Sequence, residues 1–295
     1  MKITTTGSLG NIAKPVVEQL LAAGHDVTVI TSKADRQPAI EALGATAAVG
    51  SLSDAAFLTT AFTGAEAVFV MMPPSMGATH LIQNIAEAGQ PCAQAIIAAG
   101  VPRVVLLSSV GADAAGGTGP IQGVHWVEQS LQQLSGVNVT VLRSGFFYSN
   151  FLRDIPLLKS RGVFGNNYTG DIQLALTHPQ EVAAAIAAEL QQPGNGFEVK
   201  YLVGDVATGQ ELATLLGAAV DQPDLAWTTV PDEQLTQGML SAGLPAELVG
   251  LIVEMGQGVR NGLITQDFFA SGAEVAGKTK LVQFAQEFKS KYQQA

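Results

Sequence analysis

The sequence predicts an α/β fold, a doubly wound parallel sheet with a smaller, mostly helical C-terminal cap. Three observations carry this expectation. Short apolar or β-branched runs alternate with helical patterns through the first two thirds of the chain. The opening run meets two glycines three residues apart, then an amphipathic helix pattern and a second apolar run. Past Gly145 the alternation breaks, and from roughly Thr208 the spacing is mostly helical. Strands buried on both faces and joined by helices form a parallel sheet covered on both sides.

In chain order, the strand runs are 1–6, 26–31, 46–50, 67–72, 103–109 and 139–143, with 201–204 as the last strand of the main sheet. Pro73 and Pro74 stop the fourth run. Helical patterns at 55–62, 81–99 and 124–134 separate them. A short helix is expected over 155–162 and another from Pro179 to about Leu190. In the tail, Leu248, Leu251, Ile252, Met255 and Val259 keep helical spacing, as do Leu281, Phe284, Ala285 and Phe288. The expected division is a first domain of 1–150 plus about 171–205, and a cap of about 151–170 and 206–295.

Composition narrows the function classes. Only 14% of the 295 residues are charged and 47% are hydrophobic, the balance of a packed protein rather than a disordered one. The net charge of −10 and the fifteen scattered Lys and Arg residues argue against nucleic acid, whose binding rests on clustered cations. The single cysteine, Cys92, cannot close an internal disulfide, which favours a reducing compartment. It reads as a small buried apolar side chain. Met1 and Lys2 run straight into the first strand, and no apolar stretch reaches membrane-spanning length. The expected location is the cytoplasm, with no membrane partner.

Gly7-Ser8-Leu9-Gly10-Asn11-Ile12-Ala13, between the first strand and the first helix, forms a turn suited to a dinucleotide pyrophosphate. Glycine lets backbone N–H groups approach phosphate oxygens, and the helix N-terminus adds unpaired donors and partial positive charge. The chain therefore reads as a binder of NAD(P). A site for NAD places Asp or Glu about twenty residues further on, to accept from the ribose 2′-hydroxyl. Here Thr31, Ser32 and Lys33 stand there, with Arg36 just beyond. A hydroxyl and two cations suit a 2′-phosphate, so NADP(H) is expected over NAD(H).

Further stretches form an ordered series. They include Thr6-Gly7-Ser8-Leu9-Gly10, Val49-Gly50-Ser51-Leu52-Ser53-Asp54 and Ala61-Phe62-Thr63-Gly64-Ala65. Met72-Pro73-Pro74-Ser75, Val104-Val105-Leu106-Leu107-Ser108-Ser109 and His125-Trp126-Val127-Glu128-Gln129 follow. Leu142-Arg143-Ser144-Gly145-Phe146-Phe147 and Tyr201-Leu202-Val203-Gly204 complete it. In this combination the chain resembles the NmrA-like family of atypical short-chain dehydrogenases/reductases, departing from its usual Gly-Ala-Thr-Gly at Thr5-Thr6-Gly7-Ser8. The resemblance implies a Rossmann-type fold that binds NADP(H). It implies Gly50, Ser51 and Leu52 beside the adenine, and Met72 and Pro73 along the ribose and pyrophosphate. It further implies Ser108 and Ser109 beside the nicotinamide ribose, and Gly145, Phe146 and Phe147 flanking the nicotinamide. Family members are of two kinds, reductases of quinones or similar conjugated carbonyls and non-catalytic redox sensors that act through a protein partner.

The Tyr and Lys dyad of the usual short-chain dehydrogenases is missing. Leu152, Ile172 and Asp205 stand four residues after Tyr148, Tyr168 and Tyr201, and Tyr292 runs out of chain. What remains near the expected nicotinamide is His125, Glu128, Ser109, Tyr148 and Asn150. His125 and Glu128, three apart, share a helix face. The carboxylate would suit the histidine to protonate a reduced carbonyl or quinone oxygen, with Tyr148 as second donor. Alternatively the pair orients the helix. No ligand set for a metal is found. Phe146, Phe147, Tyr148, Phe151 and Met76 are candidates for an apolar pocket. The five-glycine stretch 111–123 reads either as a lid or as a surface connection. The expected function is transfer of hydride from NADPH to a quinone or related unsaturated carbonyl, the alternative a non-catalytic sensor. The expected partner is accordingly a small apolar or aromatic substrate, or another protein; substrate identity and oligomeric state stay open.

Overall fold

The computed structural model describes residues 1–72 and 79–295. Its strands are β1 Lys2–Thr5, β2 Asp26–Thr31, β3 Thr46–Val49, β4 Ala67–Val70, β5 Arg103–Ser109, β6 Asn138–Ser144, β7 Phe146–Phe147, β8 Gly165–Asn166, β9 Gln173–Thr177, β10 Phe197–Leu202, β11 Asp205–Thr208 and β12 Thr228–Thr229. Its α-helices are α1 Ala13–Ala22, α2 Gln37–Glu41, α3 Ala55–Phe62, α4 Leu81–Ala99, α5 Ile121–Gln132, α6 Ile155–Arg161, α7 Pro179–Leu190, α8 Gly209–Ala219, α9 Asp232–Ser241, α10 Ala246–Arg260, α11 Gln266–Ser271 and α12 Leu281–Gln294. None of these helices is long and apolar enough to cross a membrane.

Seven strands form the main sheet in the order β10-β6-β5-β4-β1-β2-β3. The pairs β1–β2, β2–β3, β1–β4 and β4–β5 are parallel. The chain winds outward from β1 to β3, then returns to β4 on the other side of β1. That reversal opens a crevice beyond the carboxyl ends of β1 and β4, where ligands of such sheets bind. Thr6 ties the two ends together. Its hydroxyl donates to Met71 O and accepts from Met71 N, both at 2.8 Å.

Local sequence explains several boundaries. Asp54 caps α3 by accepting from Ala56 N and Phe57 N. Thr208 and Glu211 form a reciprocal capping box at the start of α8. Helix α5 starts three residues before the expected position because its first turn contains Gly123, which reads as a breaker in the sequence. A Cβ there would come within 2.7 Å of Ile85 Cβ, and one at Gly89 within 3.3 Å of Val127 Cα. The two glycines thus serve the close packing of α4 and α5. Cys92 lies fully buried, and burial pushes its thiol up to about 12, the state of an inert core side chain.

The chain packs as two units. The first comprises Met1–Ser108, Gly123–Arg143 and Val182–Lys200. The second comprises Ser109–Gln122, Ser144–Glu181 and Tyr201–Ala295. The second unit is larger than the expected cap, adding 109–122, 144–150, 171–181 and 201–205 to it. The reason lies in its own small sheet, β11-β9-β7, which joins segments distant in sequence. Its core gathers Phe151, Phe164, Leu176, Leu212, Phe284 and Phe288. The last main-sheet strand starts at Phe197, four residues before the expected run, because Glu198 and Lys200 break the apolar signal.

Candidate functional site

In the first unit the glycine turn follows β1 directly. A Cβ at Gly7 would lie 2.4 Å from Met71 Cε and 3.0 Å from Ala13 Cβ, so this glycine lets the turn sit on the end of β4. Gly10 is exposed, and a Cβ there would meet no atom within 4 Å. One glycine is packed and the other borders open space. Helix α1 begins three residues later, and its N-cap Ile12 supplies no side-chain hydrogen bond. Ile12 is itself core, at 5% exposure, so only its backbone faces the turn, whereas Asn11 is exposed.

The loop after β2 comes to the same place. Arg36 Nη1 donates to Ser8 Oγ at 2.6 Å, setting a guanidinium against the turn. Ser32 and Lys33 are exposed beside it, and Leu9 is half-buried. Gly50 N donates to Thr31 O at 2.9 Å, and a Cβ at Gly50 would strike the Phe57 ring at 2.6 Å. Ser51 is exposed, with its hydroxyl 2.7 Å from that of Ser53, and Leu52 is half-buried. The structure therefore brings together the residues expected at the phosphates and at the adenine. Their chemistry fits a phosphorylated dinucleotide: amides of a helix start, a glycine edge without a side chain, and cations rather than a carboxylate. Met72 is buried, while Pro73 and Met76 lie outside the described residues.

A buried polar network closes the end of β5 in this unit. Glu128 is bound by Arg143 through Nε–Oε1 at 3.1 Å and Nη2–Oε2 at 2.7 Å, and its Oε1 also accepts from the Ser108 hydroxyl. Glu128 and Arg143 are 2% and 8% exposed, so removal of either charge would strand the other in the interior. Glu128 is thus the ion-pair partner of Arg143, a role beyond the expected pairing with His125. The sequence signal for this was a lone arginine ending the apolar run of β6, a position that needs a buried partner. His125 is buried at 8% exposure, its ring edge-on to Trp126 at 4.9 Å, and Trp126 is 46% exposed.

In the second unit, Tyr148 is not placed as a proton donor. It is fully buried, its hydroxyl donates to Asp205 Oδ2 at 3.2 Å, and its ring stacks on Phe284 at 4.9 Å. Burial, with Asp205 beside it, drives the phenol far above its ordinary range. Its distance of one residue from Phe147 in sequence was misleading, since the turn after β7 sends the side chain into the core. Phe151 likewise joins that core. Gly145 N donates to Leu202 O at 3.0 Å, and a Cβ at Gly145 would come within 2.7 Å of Ala175 O. Phe146 and Phe147 pair with Leu176 and Thr177 on β9, and both are half-buried.

The same unit holds a small apolar pocket of about 60 Å³, partly open to solvent. Ser109 and Phe146 line it, with Tyr168, Met255, Val259 and Ile264 among the others. Of the five residues expected to build an apolar pocket, only Phe146 does so among those described. The sequence missed Met255 and Val259 because their helical spacing reads as plain core, and Ile264 because it lies in the turn after α10. The stretch 111–123 behaves as neither lid nor loose connection. Thr118 is fully buried, and a Cβ at Gly119 would lie 2.1 Å from Leu251 O. A Cβ at Gly258 would lie 2.6 Å from Gly117 O, so the stretch is keyed against α10.

Comparison with known proteins places this geometry. Residues 7–193 match the model of the NAD(P)H-binding family. An NAD(P)H azoreductase of Xenophilus azovorans is 26% identical over 256 residues, 86% of this chain and 85% of its own length. Quinone oxidoreductase 2 of Escherichia coli is 27% identical over 272 residues, 90% of each chain. In fold, the crystal structure of a Citrobacter sp. triphenylmethane reductase complexed with NADP(H) matches with a TM-score of 0.82 at 18% identity, covering 97% of this chain and 99% of that one. The matches agree with the resemblance to the NmrA-like atypical short-chain dehydrogenases/reductases. With the glycine turn, the switch-point sheet and the family match in agreement, the chain belongs to the NAD(P)H-binding family.

Proposed function

We propose that this protein is an NADPH-dependent oxidoreductase that reduces a quinone or a related unsaturated carbonyl. The observation that carries the reading is the second unit's cavity, apolar on most of its wall and lined by Ser109 and Phe146. Those two are among the five residues the family resemblance assigns to the nicotinamide end of the coenzyme. Its apolar wall suits the flat body of an aromatic substrate. The similar azo and quinone reductases support the same class of acceptor.

When bound, NADPH supplies a hydride, and the protein's part is to hold, orient and exclude water. The amides of 7–12 would hold the diphosphate, and Arg36 with Lys33 and Ser32 the 2′-phosphate, which selects NADP(H) over NAD(H). The adenine would lie along Gly50, Ser51 and Leu52. Ser108, held by its hydrogen bond to Glu128, would stand beside the nicotinamide ribose. His125 is the remaining candidate to deliver a proton to the reduced oxygen, since Tyr148 is locked in the core. No feature of the structure or of the relatives favours a non-catalytic sensor.

The test is NADPH oxidation followed by absorbance with a small panel of quinones and azo dyes. Turnover with a quinone, lowered at least tenfold in His125→Ala at unchanged coenzyme affinity, is the expected result. Tight NADPH binding with no turnover across the panel would overturn the reading.

A further inference from the structure

Tyr168 is the one tyrosine on the cavity wall of the second unit. Its chain position, between the two-residue strand β8 and β9, gave it no role in the sequence. Its ring stacks on Trp227 at 5.3 Å with 29° between planes, and Trp227 Nε1 donates to Tyr168 O at 2.9 Å. A Cβ at Gly170 would come within 3.0 Å of Trp227 Cβ, and one at Gly209 within 2.7 Å of its ring. Two glycines therefore let the indole close on the phenol, and the tyrosine is held from both its backbone and its ring.

The hydroxyl of this fixed ring hydrogen-bonds to no described residue. The residue is 4% exposed and lines the cavity. Of the cavity's other polar groups, Thr265 adds a further hydroxyl to the wall, and two are partly committed. Ser109 Oγ donates to Val110 O at 2.9 Å, and Asn166 Oδ1 accepts from Asn167 N at 2.9 Å. Asp154 is the carboxyl that acts on the phenol, and burial raises the phenol well above its ordinary range, so it stays protonated and can only donate or accept weakly.

We propose that the Tyr168 hydroxyl is the hydrogen-bond donor that orients the acceptor atom of a substrate in this cavity. The inference rests on the proposed reductase function and deepens it. It assigns a specificity: a flat apolar body with a carbonyl or azo acceptor at one end is retained, and the same body without an acceptor is not. The group donates a hydrogen bond and transfers no proton, so the electron and proton balance of the reduction is untouched. A donor built into a packed aromatic pair needs no rearrangement when the substrate enters.

The experiment compares wild type with Tyr168→Phe, using 1,4-naphthoquinone and naphthalene as probes. Calorimetry gives the affinities in the presence of NADP⁺, NADPH oxidation gives kcat/KM, and thermal unfolding gives Tm. Loss of one hydrogen bond predicts binding and kcat/KM for 1,4-naphthoquinone about tenfold weaker in the variant. Naphthalene affinity, NADPH affinity and Tm should not change. Equal binding and turnover in both proteins overturns the inference while leaving the reductase reading standing. A fall of several degrees in Tm assigns the hydroxyl to the fold and overturns it as well. If wild type binds the quinone but never reduces it, a tenfold loss of binding in the variant upholds the orienting role and rejects the reductase reading. Absence of quinone binding by wild type overturns both.

Discussion

Two glycine-rich stretches of this chain look alike in sequence and do opposite things. Residues 7–12 end with Gly10 bordering open space, whereas 111–119 are clasped by α10 until Gly119 has no room for a single added carbon. Both have the composition usually taken for a phosphate turn or a flexible connection. Glycine signals only that the backbone comes close to something or turns sharply. What it approaches, ligand or protein, is set by neighbours that can lie more than a hundred residues away.

The largest effect that would break this contrast is expected at Gly119→Ala. Gly119 adopts φ +59°, and its Cβ would lie 2.1 Å from Leu251 O. We expect a loss of about 2–4 kcal/mol in chemical denaturation, from positive φ and an unyielding backbone neighbour together. An unchanged midpoint would mean that the stretch is not keyed to α10. Gly10→Val should do the reverse. Its stability should stay within about 0.5 kcal/mol of wild type, while NADPH affinity by calorimetry falls at least tenfold, because the branched side chain occupies the space above the turn. Equal affinity would remove the turn from the coenzyme site.

Arg36→Ala sharpens the same comparison on the cofactor side. The guanidinium lies against Ser8 of the turn. Its loss should weaken NADPH about tenfold and leave NADH within twofold, a difference of roughly 1.4 kcal/mol. A parallel loss for both coenzymes would show that Arg36 only shapes the turn.

The smallest effect concerns charge. The first unit buries Glu128 against Arg143, whereas burial in the second pushes the Asp154 carboxyl up to about 7 against the pull of Arg153. A carboxyl raised from its ordinary value binds its proton more tightly in the folded state. Its contribution to stability is complete below about pH 4 and is lost as pH rises through about 7. Asp154→Asn should therefore gain Tm relative to wild type by a few degrees between pH 5 and pH 8. Parallel Tm profiles would place Asp154 in water.

Much of the first unit was legible because its signals are local. Strands β2 and β5 and helix α3 fall on the expected residues, since apolar runs and an Asp cap mark their ends without outside help. The cations at 33 and 36 were legible for the same reason, and the structure adds the hydrogen bond from Arg36 to Ser8. The second unit was less legible. Its strands β7, β8 and β12 are two residues long, too short for any alternation to show. Its cavity wall draws Ser109, Phe146, Tyr168 and Met255 from four separate stretches. Tyr148 shows the limit most plainly, since its place next to Phe147 says nothing about which way its side chain turns.

Taken alone, the sequence determined the alternation that builds a parallel sheet, the turn at its start and the cations Lys33 and Arg36 after β2. Each is a property of residues adjacent along the chain, where periodicity and residue type suffice. Only the tertiary structure decided which glycine is packed and which borders open space, that Tyr148 turns into the core, and that Glu128 pairs with Arg143. Those outcomes depend on packing between segments far apart in sequence, and close packing leaves no record in the order of residues.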